Sequence, residues 1–136
     1  MTKRGQASYT KPVARTLKYL REFGMDAEYV ESKLSFGGKL VSKDVLGLAD
    51  IVAYDPNIPP SIIFVQACAV SGLAKHKTKA AANPWLLRLL RSGVCYIIYS
   101  WRPWEDEERR NEPVMSEAVI LDGALFWIEG DGAKRA

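Results

Sequence analysis

Ile62-Ile63-Phe64-Val65-Gln66-Ala67-Cys68 is the most apolar β-type run in the chain. A half-exposed strand alternates apolar and polar positions, so an uncharged run of this kind reads as a central strand buried on both faces. Side chains alternate along a strand, which sets Gln66 and Cys68 on one face and Ile63, Val65 and Ala67 on the other. Upstream, Asp50-Ile51-Val52-Ala53-Tyr54 is a second β-rich run, ending at the turn signal Asp55-Pro56-Asn57. Pro59 and Pro60 keep the connection open, and two such runs across a short loop predict a hairpin.

Working outward, Val13, Leu17, Leu20 and Phe23 recur at helical spacing and Gly24 follows as a stop, so a helix is expected over roughly residues 10 to 23. Residues 26 to 34 alternate weakly before Phe36-Gly37-Gly38, a strand and a turn, and residues 40 to 49 read as a loop or short hairpin arm leading to Asp50. Residues 71 to 91 are helical, with Ser71 as N-cap and Gly93 just past the end. Pro84 divides them near Asn83 and opens the second piece. Residues 94 to 100 form another apolar strand, ended by Trp101-Arg102-Pro103. Asp122-Gly123 joins 117–121 to 124–128 in a hairpin, and the tail from Gly130 is expected to fray. A helix between two apolar strands implies a crossover. The expected fold is therefore α/β, an αβββαβ core with a mixed central sheet flanked by helices, plus a C-terminal hairpin. It forms one domain over 1–136, with its core at about 10–101 and an extension over 102–136.

The 136 residues are 48% hydrophobic and 26% charged, a globular composition. Cys68 and Cys95 lie in apolar runs, which suits reduced buried thiols and a reducing cytoplasm. No run approaches the roughly 18 apolar residues of a membrane span. The start, MTKRGQASYTKP, lacks the apolar core of a signal peptide, so a soluble intracellular chain is expected. The net charge of +3 is unevenly spread. Lys3, Arg4, Lys11, Arg15, Lys18 and Arg21 precede any acid, and Lys75-His76-Lys77-Thr78-Lys79 is followed by Arg88 and Arg91. Glu105-Asp106-Glu107-Glu108, Glu112 and Glu117 form an acidic stretch, expected as an exposed loop. The basic regions could neutralise phosphates, with Arg15, Lys75, His76, Lys77 and Lys79 as the DNA-contact candidates; equally, they could be solvated helix faces.

Asp50, with Gly47-Leu48-Ala49 before it and Ile51 to Tyr54 after it, and the strand Ile62 to Cys68 together resemble the PD-(D/E)XK nuclease superfamily, including archaeal-type Holliday junction resolvases. They also resemble small phage-type members in which a Gln-x-(Cys/Thr) strand leads into a basic helix and a Trp-Arg pair, here Trp101-Arg102, ends the next strand. The resemblance covers about residues 10 to 101. It implies phosphodiester hydrolysis with Mg²⁺ or Mn²⁺, Asp50 and Gln66 as metal ligands, and Lys75, Lys77 or Lys79 in place of the family's lysine. Gln66 stands where most members have Glu or Asp, and Cys68 where they have Lys; Glu22 falls too late on the first helix to serve as a further ligand. A Gln oxygen brings no charge, and a thiol cannot replace an ammonium.

Each of these residues also has a plainer reading. Asp50 could pair with a nearby base, Gln66 could be a satisfied buried amide, and Cys68 a small core residue. Trp85, Trp101, Trp104 and Trp127 suit core or interface positions. His76 is the only histidine, which argues against a zinc site or a triad built on histidine. Three functions follow. The first is a nucleic-acid-binding protein with weak or lost phosphodiesterase activity, and the second an active metal-dependent DNA endonuclease of junction-resolvase type. The third is a protein-binding regulator that sets its acidic loop against a basic surface. A homodimer is open to each.

Overall fold

A computed structural model of the chain describes residues 11–30, 32–36, 39–43, 45–56 and 62–131, with the backbone alone for 32–36, 39–43, 130 and 131. Lys3, Arg4, Gly37, Gly38, Pro59 and Pro60, on which sequence expectations rest, lie outside the described residues. Helix α1 (Lys11–Glu22) sets Val13, Thr16, Leu17 and Leu20 on one buried stripe, the three-and-four spacing of a single helix face. Lys11, Lys18 and Arg21 are left in water. The helix closes at Gly24, where the Met25 N–H reaches the Leu20 carbonyl (3.1 Å) and the Gly24 N–H that of Arg21 (3.0 Å). This Schellman pattern satisfies carbonyls that the last turn leaves open. Phe23, expected on the buried stripe, lies past the helix end instead. It is 60% exposed and stacks on Tyr19 at 4.8 Å.

Eight strands follow among the described residues: β1 (Asp26–Tyr29), β2 (Ser32–Phe36), β3 (Lys39–Lys43), β4 (Ile51–Tyr54), β5 (Ile62–Ala69), β6 (Cys95–Trp101), β7 (Val114–Leu121) and β8 (Ala124–Asp131). Six form one sheet in the order β1-β4-β5-β6-β7-β8, while β2 and β3 pair as a separate hairpin inserted before β4. All neighbours in the large sheet are antiparallel except β5 and β6, which run parallel. A parallel neighbour needs a crossover, and α2 (Leu73–Ala81) and α3 (Pro84–Arg91) supply it. The αβββαβ order, the mixed sheet and the C-terminal hairpin are those expected. β8 runs to Asp131, so the tail expected to fray from Gly130 stays paired for two residues more.

The division at Pro84 is present. The Asn83 side chain caps α3 by accepting from the Trp85 N–H (2.8 Å), and Pro84 takes a first-turn position where no N–H is required. Ser71, expected as the N-cap of this stretch, is not one. The chain leaves β5 through a single tight turn (Val70–Gly72), so Ser71 is inside it and α2 begins at Leu73 without a side-chain cap.

Both faces of β5 are covered. Ile63, Val65 and Ala67 pack with Ile51, Ala53, Ile97 and Tyr99 under α1, while Phe64 and Cys68 pack with Tyr96, Ile98, Ala80 and Leu86 under α2 and α3. Cys68 is buried, Cys95 half-buried, and both are free thiols. No helix among the described residues is long and apolar enough to cross a membrane. Leu20 is fully buried at the α1–sheet contact. Leu20→Ala is therefore expected to cost about 2–5 kcal/mol in urea unfolding, for lost transfer energy and the cavity left behind. Phe23→Ala, at an exposed position, should cost less than about 1 kcal/mol. Equal costs would show that the helix buries a different stripe.

Candidate functional site

Asp50 immediately precedes β4, and its own N–H extends the β4–β5 ladder by donating to the Val65 carbonyl (3.0 Å). Ile51 opposes Val65 on the α1 face, so alternation turns Asp50 and Gln66 together toward α2 and α3. Each is only 6% exposed. Gln66 Nε2 donates to Asp50 Oδ2 at 3.1 Å, and the Ala67 N–H donates to Oδ1 at 3.2 Å. The amide's orientation follows from chemistry, since its oxygen at that distance from a carboxylate oxygen would be repelled. The two residues that the sequence singled out as one site are thus in direct contact.

The turn at 45–49 aims Asp50. Leu46 and Gly47 are both left-handed, with φ of +54° and +73°, a conformation that costs a leucine about 1–2 kcal/mol. Two side chains from elsewhere hold it. Tyr96 Oη donates to the Leu48 carbonyl (2.8 Å) and Asn83 Nδ2 to that of Leu46 (2.9 Å). A Cβ at Gly47 would lie 3.2 Å from Asn83 Nδ2, too close without a shift. Asn83 therefore caps α3 with its oxygen and anchors the site's turn with its nitrogen. Sequence reading found the Asn83-Pro84 boundary but neither anchor, because both act across more than 30 residues of chain.

A hard divalent cation wants several converging oxygens, preferably anionic. As arranged, the pair does not fit one. The carboxylate accepts an N–H on each oxygen, and the amide presents its donor where a ligand oxygen would be needed. Ion binding would require Gln66 to turn its carbonyl toward Asp50. Among the described residues no group of three or more His, Cys, Asp or Glu side chains is placed to hold a metal ion. Cys68 lies on the same face, and burial, then the Asp50 charge, pushes its thiol up to about 11. It is a protonated core residue at neutral pH, not a nucleophile.

The basic candidates divide. Lys75 and Lys79 are exposed on α2, as are Arg88 and Arg91 on α3, and none forms an ion pair among the described residues. Lys77 is tied to Glu129 on β8 and lies over Trp127 (5.8 Å). That hydrogen bond is the main reason the Glu129 carboxyl is held below its ordinary value. His76 is held below its own by burial, then by the Lys79 and Lys75 charges, so it is neutral at pH 7. Arg15 faces inward. It donates to the carbonyls of Arg102 (3.3 Å) and Arg110, and stacks over Trp101 (4.6 Å) and Trp104 (5.2 Å). Burial and then the Arg110 charge lower its pKa. Arg15 thus anchors the exposed acidic loop over 102–113. Of the tryptophans, Trp101 is buried and donates to Thr16 Oγ1 (2.8 Å), Trp127 is half-buried, and Trp85 and Trp104 are exposed. Comparison with known proteins gives no match to a family model, to a curated protein or to a solved structure.

Gln66→Glu would set two carboxylates face to face in a buried site. It is expected to lower stability by roughly 2–4 kcal/mol at about pH 8. The introduced group's pKa rises above its unfolded value, so the deficit should shrink as pH falls toward about 5. Asp50→Asn keeps an acceptor for Ala67 and lets Gln66 rotate its amide, so its cost should stay below about 1.5 kcal/mol. Thermal melts across pH decide. A harmless Gln66→Glu at high pH would refute the contact.

A thiol that ionises later when folded makes stability fall as pH rises from the ordinary value of 9.0 to about 11. Cys68→Ala should flatten that fall by up to about 1.4 kcal/mol per pH unit in denaturant titrations. Unchanged slopes would show that Cys68 ionises normally.

Proposed function

We propose that the chain is a nucleic-acid-binding protein on a nuclease-like scaffold of the PD-(D/E)XK kind, with phosphodiester hydrolysis weak or lost. The observation that carries this reading is the hydrogen bond from Gln66 to Asp50. At these two positions the superfamily resemblance implies acidic side chains around a metal ion. Here the second is an amide that gives Asp50 a donor, the role a cation would otherwise fill. The αβββαβ order and the basic helix after β5 support the same scaffold. Of the lysines that the resemblance offers for catalysis, Lys77 is already bound to Glu129, which leaves Lys75 and Lys79 open to a phosphate. Their exposed charges suit the phosphate backbone, whose binding by lysine releases counterions and depends steeply on salt.

Affinity for a labelled DNA duplex is expected to fall as salt rises from about 50 to about 200 mM. Each phosphate contact adds about 0.9 to the log–log slope, so Lys75→Ala with Lys79→Ala should lower it by nearly two units. At most weak cleavage is expected with Mg²⁺ or Mn²⁺. Absence of duplex binding at low salt would end the proposal. Efficient metal-dependent cleavage that Asp50→Asn abolishes would instead make the chain an active nuclease.

A further inference from the structure

Helix α1 rests on β1, β4, β5 and β6. On the same face farther along the sheet, Leu121, Phe126 and Ile128 are exposed, with Val119 half-buried among them. Met115 marks that face by belonging to the α1-side core, and Val119, Leu121, Phe126 and Ile128 share it by alternation. Leu121 is 51% exposed, Phe126 48% and Ile128 54%. Among the described residues β8 is also an edge strand. The two edges of the sheet are unlike. β1 is four residues long and carries Asp26 and Glu28 in solvent, the usual protection of an edge; β8 is eight residues long with neither proline nor lysine, and its acids, Glu129 and Asp131, lie only at its C-terminal end.

The register of the hairpin says how this edge can pair. Asp122 and Gly123, with φ of +52° and +78°, form a two-residue turn of type I′, so Leu121 and Ala124 are a hydrogen-bonded pair. Alternation makes Val119 with Phe126, and Glu117 with Ile128, bonded pairs too. Leu125, Trp127, Glu129 and Asp131 then direct their N–H and C=O groups out of the sheet.

We propose that this edge is a homodimer interface, with β8 antiparallel to β8 of a second copy about a two-fold axis at Trp127. In that register Trp127 bonds its own counterpart, and Leu125 bonds Glu129 of the second copy. Three of the four outward residues are used, and Asp131 falls opposite the turn of the second copy. On the bare face Phe126 meets Ile128 of the second copy in the closer, non-hydrogen-bonded positions. Charge favours the same register. An axis at Glu129 would oppose two carboxylates, whereas here each Glu129 faces a leucine and stays paired with Lys77 of its own chain. The two-fold uses up the edge of both copies, so assembly stops at two. None of this depends on nucleic-acid binding.

Sedimentation of the full chain should give a mass near twice 15.2 kDa at micromolar concentration. Ile128→Lys enters the interface twice and should weaken self-association by roughly 100-fold or more. Because position 128 is exposed, the variant should keep the wild-type far-UV circular dichroism. In the double variant Phe126→Cys, Ile128→Cys, mild oxidation should give a covalent dimer, while the wild type gives none; this readout stands even if Ile128→Lys misfolds. A monomeric wild type, assembly beyond two copies, or a dimer that neither yields to Ile128→Lys nor cross-links through 126 and 128 would each overturn the proposal.

Discussion

Water is excluded from both faces of β5, so an amide in the middle of that strand has to find its partners inside the protein. Gln66 finds Asp50. The carboxylate in turn needs donors, since an ion left bare at that depth would cost several kcal/mol. It takes one from the Gln66 amide and one from the Ala67 N–H. Each group is the condition for burying the other. The strand order that puts Asp50 beside Gln66, with α1 on one side and the crossover helices on the other, is the arrangement that lets both remain.

Holding Asp50 there has a local cost, and the fold meets it with distant side chains. Two successive left-handed residues, one of them a leucine, are not a conformation that a free chain would keep. Tyr96 from β6 and Asn83 from the start of α3 bond the turn's carbonyls, and buried Leu48 seats it against the crossover helices. The site's geometry is thus tied to the junction between α2 and α3. Arg15 and Trp101 do comparable work elsewhere. Trp101 ties the end of β6 to α1 through Thr16, and Arg15 gathers the acidic loop by two of its carbonyls and by stacking on Trp104. Arg110 Nε is a buried donor with no hydrogen-bond partner among the described residues.

Much of this was legible from one dimension because the signals are local. A seven-residue apolar run, a helical stripe of Val13, Leu17 and Leu20, the Asn83-Pro84 boundary and the Asp122-Gly123 turn each report the conformation of their own neighbours. Period-two alternation sufficed to put Gln66 and Cys68 on one face; the β4–β5 register then placed Asp50 beside them. Where local reading missed, the missing information was local geometry too fine for pattern. Phe23 kept the helical period one residue past the point where Gly24 had already ended the helix, and Ser71 had a capping residue's chemistry but lay inside a tight turn.

By itself the sequence determined most of the elements, their order and which residues of a strand share a face, because side-chain periodicity and turn chemistry act over a few residues. It ran β1 and β2 together over 26–34 and so missed the β2–β3 hairpin. Only the tertiary structure decided what the polar groups do. Whether Gln66 presents a donor or an acceptor, whether Lys77 points to solvent or to Glu129, and whether Arg15 is a surface charge or a loop anchor all turn on partners at least 16 residues away in sequence. Hydrogen bonds and ion pairs are directional and short-ranged, and no pattern along the chain encodes which distant group will arrive within 3 Å.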